Sequence, residues 1–256
     1  MKIGGGPYNV PGRHGELPST THANPANTGQ TQNDLQSNTS GMADHTLPRN
    51  IPRSDKDYLK IATLNMRGRT CTIQGYRQDK WFQIYRILNT SQTAILAIQE
   101  THLTDELANN IRLSFDSKLA LHYSPLPETR NADGVAFVIN KGLLNAEKVS
   151  CEEIIPGRAI LATISWHADT KIKILNIYTP NDTRNNELFW EKLNEIMSAH
   201  PNQRPDIMMG DFNLVEDSLD RLPCHPDNAS AVAALGELKY NLNLHWVHRT
   251  LFVINN

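Results

Sequence analysis

Short apolar runs that stop at polar side chains are the feature that most limits how this chain can fold. The clearest is residues 94–98, an unbroken apolar run that ends at Gln99 and Glu100. A run this short and this apolar is typical of a strand buried on both faces. We predict further strands, some with alternating rather than unbroken patterns, at residues 59–64, 135–139, 159–165, 172–178 and 206–209.

Apolar residues at helical spacing lie between some of these strands. Trp81, Ile84 and Leu88 share one helix face, and Thr104 is a candidate N-cap for a second helix. Two further helices are predicted at residues 189–197 and 232–242. Because some strands follow one another directly and others alternate with helices, we predict an α+β fold with mixed α/β packing.

The first 57 residues differ in composition from the rest of the chain. Asn, Thr, Gly, Pro and Ser dominate residues 1–57, which contain hardly any adjacent apolar residues. Such a segment cannot bury enough apolar surface to offset the entropy cost of ordering, so we predict a disordered polar tail and a folded domain at residues 58–256. The tail has five basic and five acidic residues, which argues against a basic arm that grips DNA.

The overall charge and the cysteines restrict the possible partners. The formal net charge is −2, so any binding of nucleic acid depends on a local patch. The three cysteines lie far apart without a Cys-x-x-Cys pair, which disfavours a disulfide framework and a zinc site. No signal-like segment or membrane-length apolar run is present. We therefore expect a protein of the nucleus or cytoplasm that does not enter a membrane.

Polar side chains follow several of the predicted strands. Loops at strand ends are a common location for ligand sites. Carboxylates can hold Mg²⁺, and neutral Asn and Tyr side chains can hold a phosphate without cancelling its attraction to the cation. The candidates are Asn65, Glu100, Tyr178 with Asn181, and Asp211 with Asn213.

Each of these residues has an ordinary structural explanation. A Glu at a strand end is most often a solvated loop residue, and residues 210–213 are equally compatible with a turn. Tyr178 is more often a core-edge aromatic than a catalytic group. The spacing of these residues alone supports no conclusion narrower than a metal-assisted hydrolase.

Four strings taken together resemble a known family. They are Thr-Leu-Asn-Met-Arg-Gly at residues 63–68, Ile-Gln-Glu-Thr-His-Leu at 98–103, Asn-Ile-Tyr-Thr-Pro-Asn at 176–181 and Met-Gly-Asp-Phe-Asn at 209–213. In this order they resemble the endonuclease/exonuclease/phosphatase superfamily. The second string is similar to the endonuclease domain of non-long-terminal-repeat retrotransposons, and residues 215–223 resemble its fungal members.

The resemblance implies two packed mixed β-sheets flanked by helices in a four-layer sandwich. It also implies a phosphodiesterase that uses Mg²⁺ (or Mn²⁺) and nicks DNA for retrotransposition. We expect a monomer that is followed by a reverse transcriptase in a full-length element.

The resemblance also implies roles for the candidate residues. Glu100 would hold the divalent cation with Asn65 beside it, and Asp211 would orient or deprotonate the attacking water. The phosphate would be held by the amides of Asn213 and Asn181.

The family pattern also includes Tyr178 and residues 133–136. Tyr178 would lie against the phosphate. We expect residues 133–136 to be structural and Arg158 to be a packing or solvated residue.

One departure from the family pattern affects these expectations. Family members continue with a strand that carries an aspartate ligand and then a Ser-Asp-His string, and nothing after Asp220 matches them. We therefore expect a domain that lacks its last strands, and activity of this chain stays open. The alternatives are a non-catalytic retrotransposon remnant and an inositol-phosphate or sphingomyelin phosphodiesterase of the same fold. Residues 178–181 favour DNA over the latter substrates.

Overall fold

The structure is a computed structural model that describes most of the predicted domain. The described residues are 58–68, 70–73, 76–125, 133–166, 170–220, 222–245 and 252–255. The predicted tail at residues 1–57 lies outside these ranges.

Eleven strands and four α-helices form the described part of the fold. The strands are β1 (Tyr58–Asn65), β2 (Thr70–Ile73), β3 (Tyr76–Asp79), β4 (Ile95–Gln99), β5 (Leu119–Ser124), β6 (Val135–Asn140), β7 (Val149–Ile155), β8 (Ala159–Ser165), β9 (Lys171–Tyr178), β10 (Ile207–Asp211) and β11 (Phe252–Asn255). The helices are α1 (Trp81–Thr90), α2 (Asp105–Phe115), α3 (Thr183–Ala199) and α4 (Ala229–Leu242).

Two sheets contain most of the strands, and β2 and β3 form a separate hairpin. Sheet 1 has the order β11-β1-β4-β6-β5, and sheet 2 has the order β10-β9-β8-β7. Neighbouring strands are parallel for β1 with β4 and for β9 with β10, and antiparallel elsewhere in both sheets. Both sheets are therefore mixed, as the fold prediction required.

Three apolar cores separate four layers. One core lies between the sheets and includes Ile61, Phe137 and Ile174. The second packs α1 and α2 on sheet 1, and the third packs α3 and α4 on sheet 2. The order of layers is helices, sheet 1, sheet 2, helices, which confirms the predicted sandwich.

The helices begin and pack as their sequences indicate. Helix α1 buries Trp81, Ile84 and Leu88, the residues whose spacing predicted it. Thr104 caps α2 by accepting a hydrogen bond from the Leu107 amide at 3.3 Å. None of the described helices combines the length and the apolar character needed to cross a bilayer.

Five strands were not predicted from the sequence: β2, β3, β5, β7 and β11. Strand β7 forms the edge of sheet 2 and exposes Ser150, Glu152 and Glu153, so it lacks a continuous apolar run. Strand β5 is also an edge strand, and it mixes His122 and Tyr123 with buried leucines. Strand β11 pairs with β1 in antiparallel fashion.

Candidate active site

The carboxyl ends of two parallel strand pairs bring the predicted site residues together. In sheet 1, β1 ends at Asn65, which lies opposite Gln99, the residue before Glu100. In sheet 2, Asp211 at the end of β10 lies opposite Tyr178 at the end of β9. Parallel neighbours end at the same edge of a sheet, so each pair delivers two polar side chains to one place.

The Asn65 amide joins the two sheets at this edge. Its Nδ2 lies 2.7 Å from Glu100 Oε1 and 2.7 Å from Asp211 Oδ2. The contact between Asn65 and Asp211 spans 146 residues of sequence. Asn65 Oδ1 accepts a hydrogen bond from the Arg67 amide at 2.9 Å, and a backbone amide can only donate, so this contact orients the Nδ2 group toward the carboxylates.

The loop after β1 is held in place by a lysine. Lys80 Nζ donates to the carbonyl oxygens of Met66, Arg67 and Gly68 at 2.5, 3.2 and 3.0 Å. The Gly68 amide in turn donates to the Glu100 carbonyl at 2.8 Å. The loop that follows Asn65 is therefore fixed to the loop that carries Glu100.

Tyr178 is a buried phenol at the centre of the site, with 5% of its surface exposed. Burial raises the pKa of Tyr178 to about 12, and the charges of Glu100 and Asp133 and a hydrogen bond to Glu100 act in the same direction. Arg158 opposes this shift in pKa. The phenol therefore stays protonated at neutral pH and can donate its hydrogen bond.

Arg158 belongs to this cluster, although the sequence indicated only a packing or solvated residue. Its guanidinium carbon lies 4.9 Å from the centre of the Tyr178 ring, and its Nη2 is 2.8 Å from Asp133 Oδ2. The Arg158 carbonyl also accepts a hydrogen bond from the Tyr178 amide at 2.8 Å. Arg158 precedes a strand, so a search for polar residues after strands could not identify it.

Asn213 connects the two strand-end loops of sheet 2. Its amide hydrogen bonds to Asp211 Oδ1 at 3.1 Å, and its Nδ2 donates to the Thr179 carbonyl at 2.8 Å. The Thr179 amide donates to the Asp211 carbonyl at 3.0 Å. Asn213 therefore has its side-chain nitrogen committed to the loop after β9.

Asn181 lies on the same loop but is exposed. It follows Tyr178 by three residues and precedes Asp182, the N-cap of α3. Within the described part of the chain, no hydrogen bond joins its side chain to the other candidate residues.

Residues with left-handed backbone conformations surround the site. Glu100 has φ +51° and Asn213 has φ +45°, and Arg67, His102 and Asp133 also have positive φ. Such conformations are uncommon for residues other than glycine and concentrate at functional sites. The backbone conformation therefore marks the same place in the fold as the side-chain chemistry does.

A buried amide pair below the site connects the two sheets. Gln99 Nε2 donates to Asn176 Oδ1 at 2.6 Å, and Asn176 Nδ2 donates to the carbonyl oxygens of Ile98 at 3.0 Å and Ala136 at 2.9 Å. Asn176 is on sheet 2 and its partners are on sheet 1. These directional contacts fix how the sheets are aligned immediately under the site residues.

The side chains present have the chemistry that a magnesium ion selects. Glu100 and Asp211 each offer a carboxylate oxygen 2.7 Å from Asn65 Nδ2. Mg²⁺ keeps much of its water and needs only one or two carboxylates. Over residues 58–245, apart from the short gaps given above, no group of three or more His, Cys, Asp or Glu is placed to hold a metal. Carboxylate oxygens fit Mg²⁺ or Mn²⁺ better than zinc, which binds mostly nitrogen and sulfur in proteins.

The chain belongs to the endonuclease/exonuclease/phosphatase family, whose model matches residues 62–244. A curated relative is the uncharacterized 149 kDa protein of transposon TX1 from Xenopus laevis, which is 26% identical over 175 residues. The match covers 68% of this chain, and the chain spans only 12% of that relative.

Solved structures share the fold. The AP endonuclease LMAP from Leishmania major superposes with a TM-score of 0.56 at 16% identity, covering 73% of this chain and 67% of that one. An AP endonuclease from Archaeoglobus fulgidus gives a TM-score of 0.49 at 21% identity, covering 71% and 70%. At these identities the LMAP match identifies the four-layer fold and nothing narrower.

Proposed function

We propose that this chain is a phosphodiesterase of endonuclease type that uses Mg²⁺ (or Mn²⁺) and nicks DNA for retrotransposition. The observation that carries the proposal is the contact of the Asn65 amide with both Glu100 and Asp211, 2.7 Å to each. It unites carboxylates from two sheets at the edge where the family motifs converge. The transposon relative supports DNA as the substrate.

Glu100 and Asn65 are the residues that would hold the cation. A bound divalent cation would withdraw charge from the phosphate and lower the pKa of coordinated water. Asn65 would stand beside the cation, with its nitrogen directed to both carboxylates and its oxygen accepting from the Arg67 amide.

Asp211 would accept the proton of the attacking water. Its Oδ2 is hydrogen bonded to Asn65 and its Oδ1 to the Asn213 amide, so the carboxylate orientation is fixed before a substrate arrives. A fixed orientation lowers the entropy cost of bringing the water into line with the phosphorus.

The phosphate would be held by neutral donors. Tyr178 remains protonated, and its O–H, which is hydrogen bonded to Glu100 in the structure, would turn to a phosphoryl oxygen. Asn213 lies next to Asp211 on the same loop. Asn181 is exposed in the adjacent loop and is free to meet a bound strand. Neutral donors stabilise the charge that develops on the phosphoryl oxygens without displacing the cation.

The first prediction tests the cation and the carboxylates. Glu100→Gln keeps an oxygen for the Asn65 amide but removes the charge, so we expect Mg²⁺ binding to disappear in calorimetry. Nicking of supercoiled plasmid should fall by about 10²-fold or more, and Asp211→Asn should lower it by a similar factor.

Glu195→Gln is the matched control because Glu195 is exposed on α3, away from the site. Equal Mg²⁺ affinity in wild type and Glu100→Gln would remove Glu100 from the proposed site. A folded wild-type chain that nicks in neither Mg²⁺ nor Mn²⁺ would favour the non-catalytic remnant. Cleavage of inositol phosphates or sphingomyelin in place of DNA would favour the third alternative.

A further inference from the structure

Asn186, on α3, is a buried amide that none of the family strings contains. Only 2% of its surface is exposed. Its Nδ2 lies within hydrogen-bond distance of Thr179 Oγ1 at 2.9 Å and of the carbonyl oxygens of Pro180 and Phe212, both at 3.0 Å. One side-chain nitrogen, which has two hydrogens to donate, therefore lies among three acceptors on two loops.

Trp190 determines which way this amide points. Trp190 Nε1 donates to Asn186 Oδ1 at 2.7 Å, one helical turn along α3. An indole nitrogen can only donate, so the oxygen of the amide must face it and the nitrogen must face the loops. The Trp190 ring also packs edge-on against Phe212, with 5.3 Å between ring centres.

The two loops that Asn186 holds are the ones that carry the candidate catalytic groups of sheet 2. Thr179 and Pro180 directly follow Tyr178, and Phe212 lies between Asp211 and Asn213. Thr179 Oγ1 also donates to the Phe212 carbonyl at 2.5 Å. Through the buried Asn186 amide, α3 therefore contacts both loops.

We propose that Asn186 is a positioning residue of the candidate active site. It touches neither the cation residues nor a substrate, and it acts by setting the place of Asp211 and Asn213 relative to Tyr178. This role rests on the proposed function, since the geometry it maintains matters only if these groups act on a phosphate.

The proposed cation residues and the loops that Asn186 contacts belong to different sheets. Asn65 and Glu100 belong to the strand ends of sheet 1, whereas the acceptors around Asn186 Nδ2 all lie on the loops of sheet 2. Loss of the Asn186 amide should therefore slow turnover, and it should change the Mg²⁺ concentration required for half activity less than Glu100→Gln does. A general loss of folding would instead reduce the amount of active protein and leave the turnover of each folded molecule unchanged.

Asn186→Ala in the full chain tests the proposal with two measurements. Hydrogen exchange followed by mass spectrometry should show the amides of Thr179 and Asn213 exchanging about tenfold faster than in wild type. Single-turnover nicking at saturating plasmid should slow by about 10²-fold, the effect of a displacement of about 1 Å. Asn185→Ala, at the exposed neighbouring position, should change neither result.

Trp190→Phe is the second variant, and it keeps the ring while removing the donor that orients the amide. We expect it to speed exchange at the same two loops, with the rest of the chain unchanged. Unchanged loop exchange in Trp190→Phe and in any folded Asn186→Ala protein would overturn the proposal. Faster loop exchange in a chain whose wild type never nicks DNA would refute the proposed function alone, leaving the hold of Asn186 on the loops established.

Discussion

Tyr178 is the site side chain whose ionisation is most altered by its surroundings. Burial raises the pKa of Tyr178 to about 12 from an ordinary value of 10.0, and nearby carboxylates contribute. A raised pKa means that the folded state binds the phenolic proton more tightly than the unfolded state does. The resulting stabilisation is complete below pH 10 and is lost as the pH rises from about 10 to about 12.

The second prediction follows from this shift in pKa. Seven tyrosines contribute to an alkaline absorbance titration, and subtracting the titration of Tyr178→Phe should isolate one phenol with a midpoint near pH 12. Tyr240→Phe is the control, because it removes a phenol that is 86% exposed and lies outside the site. A Tyr178 midpoint near pH 10 would show that the phenol is neither desolvated nor close to Glu100.

At the scale of single residues, the candidate site groups are polar side chains that directly follow a predicted strand. Asn65, Glu100 and Asp211 each end or follow a strand, and the structure brings Glu100 and Asp211 within hydrogen-bond distance of the Asn65 side-chain nitrogen. Arg158 and Asn186 were not identified because Arg158 precedes a strand and Asn186 lies inside a helix. No local pattern distinguishes a helical Asn that faces two loops from one that faces water.

The parallel strands β9 and β10 carry Tyr178 and Asp211 at their ends, and Gly210 lies opposite Ile177 in this pair. Gly210 has φ +138°, and a Cβ at this position would lie 1.9 Å from the Ile177 carbonyl oxygen. Any side chain would push apart the two strands whose ends carry Tyr178 and Asp211. Only glycine is compatible with both the conformation and the spacing.

The third prediction contrasts two glycine substitutions. Gly210→Ala should lower the free energy of unfolding by more than about 1 kcal/mol, because both the backbone and the neighbouring strand must shift. Gly236→Ala should raise it by about 0.5–1 kcal/mol, because Gly236 is inside α4 with nothing within 4 Å of a new Cβ. Urea denaturation gives both values. A neutral Gly210→Ala variant would mean that β9 and β10 are less tightly apposed than the structure has them.

Strands that are buried on both faces are the easiest to predict from the sequence. Strands β4 and β6 are buried at every position, and their apolar runs predicted them directly. Strand β7 lies at a sheet edge, where exposed charge discourages pairing with other chains, and that same charge disguises it as a loop. Sheet edges are therefore the part of this fold that composition predicts least well.

At the scale of the whole molecule, the predicted division at residue 57 remains to be tested. The fourth prediction is that deleting residues 1–57 leaves the thermal midpoint of residues 58–256 nearly unchanged. The polar composition of the deleted segment gives it little apolar surface to contribute to a core. Differential scanning calorimetry of the two chains measures this, and a clear drop on deletion would mean that the segment packs against the domain.

Apart from β11 in sheet 1, the two sheets are built from two successive stretches of the chain. Strands β1 to β6 precede Lys141, and β7 to β10 follow Gly142, so each stretch supplies one parallel pair of site strands. Neither stretch holds both of the carboxylates that Asn65 bridges. During synthesis, residues 58–140 leave the ribosome with Asn65 and Glu100 but without Asp211. The candidate chemistry therefore appears only when the second stretch docks on the first, which delays it until most of the domain has been made.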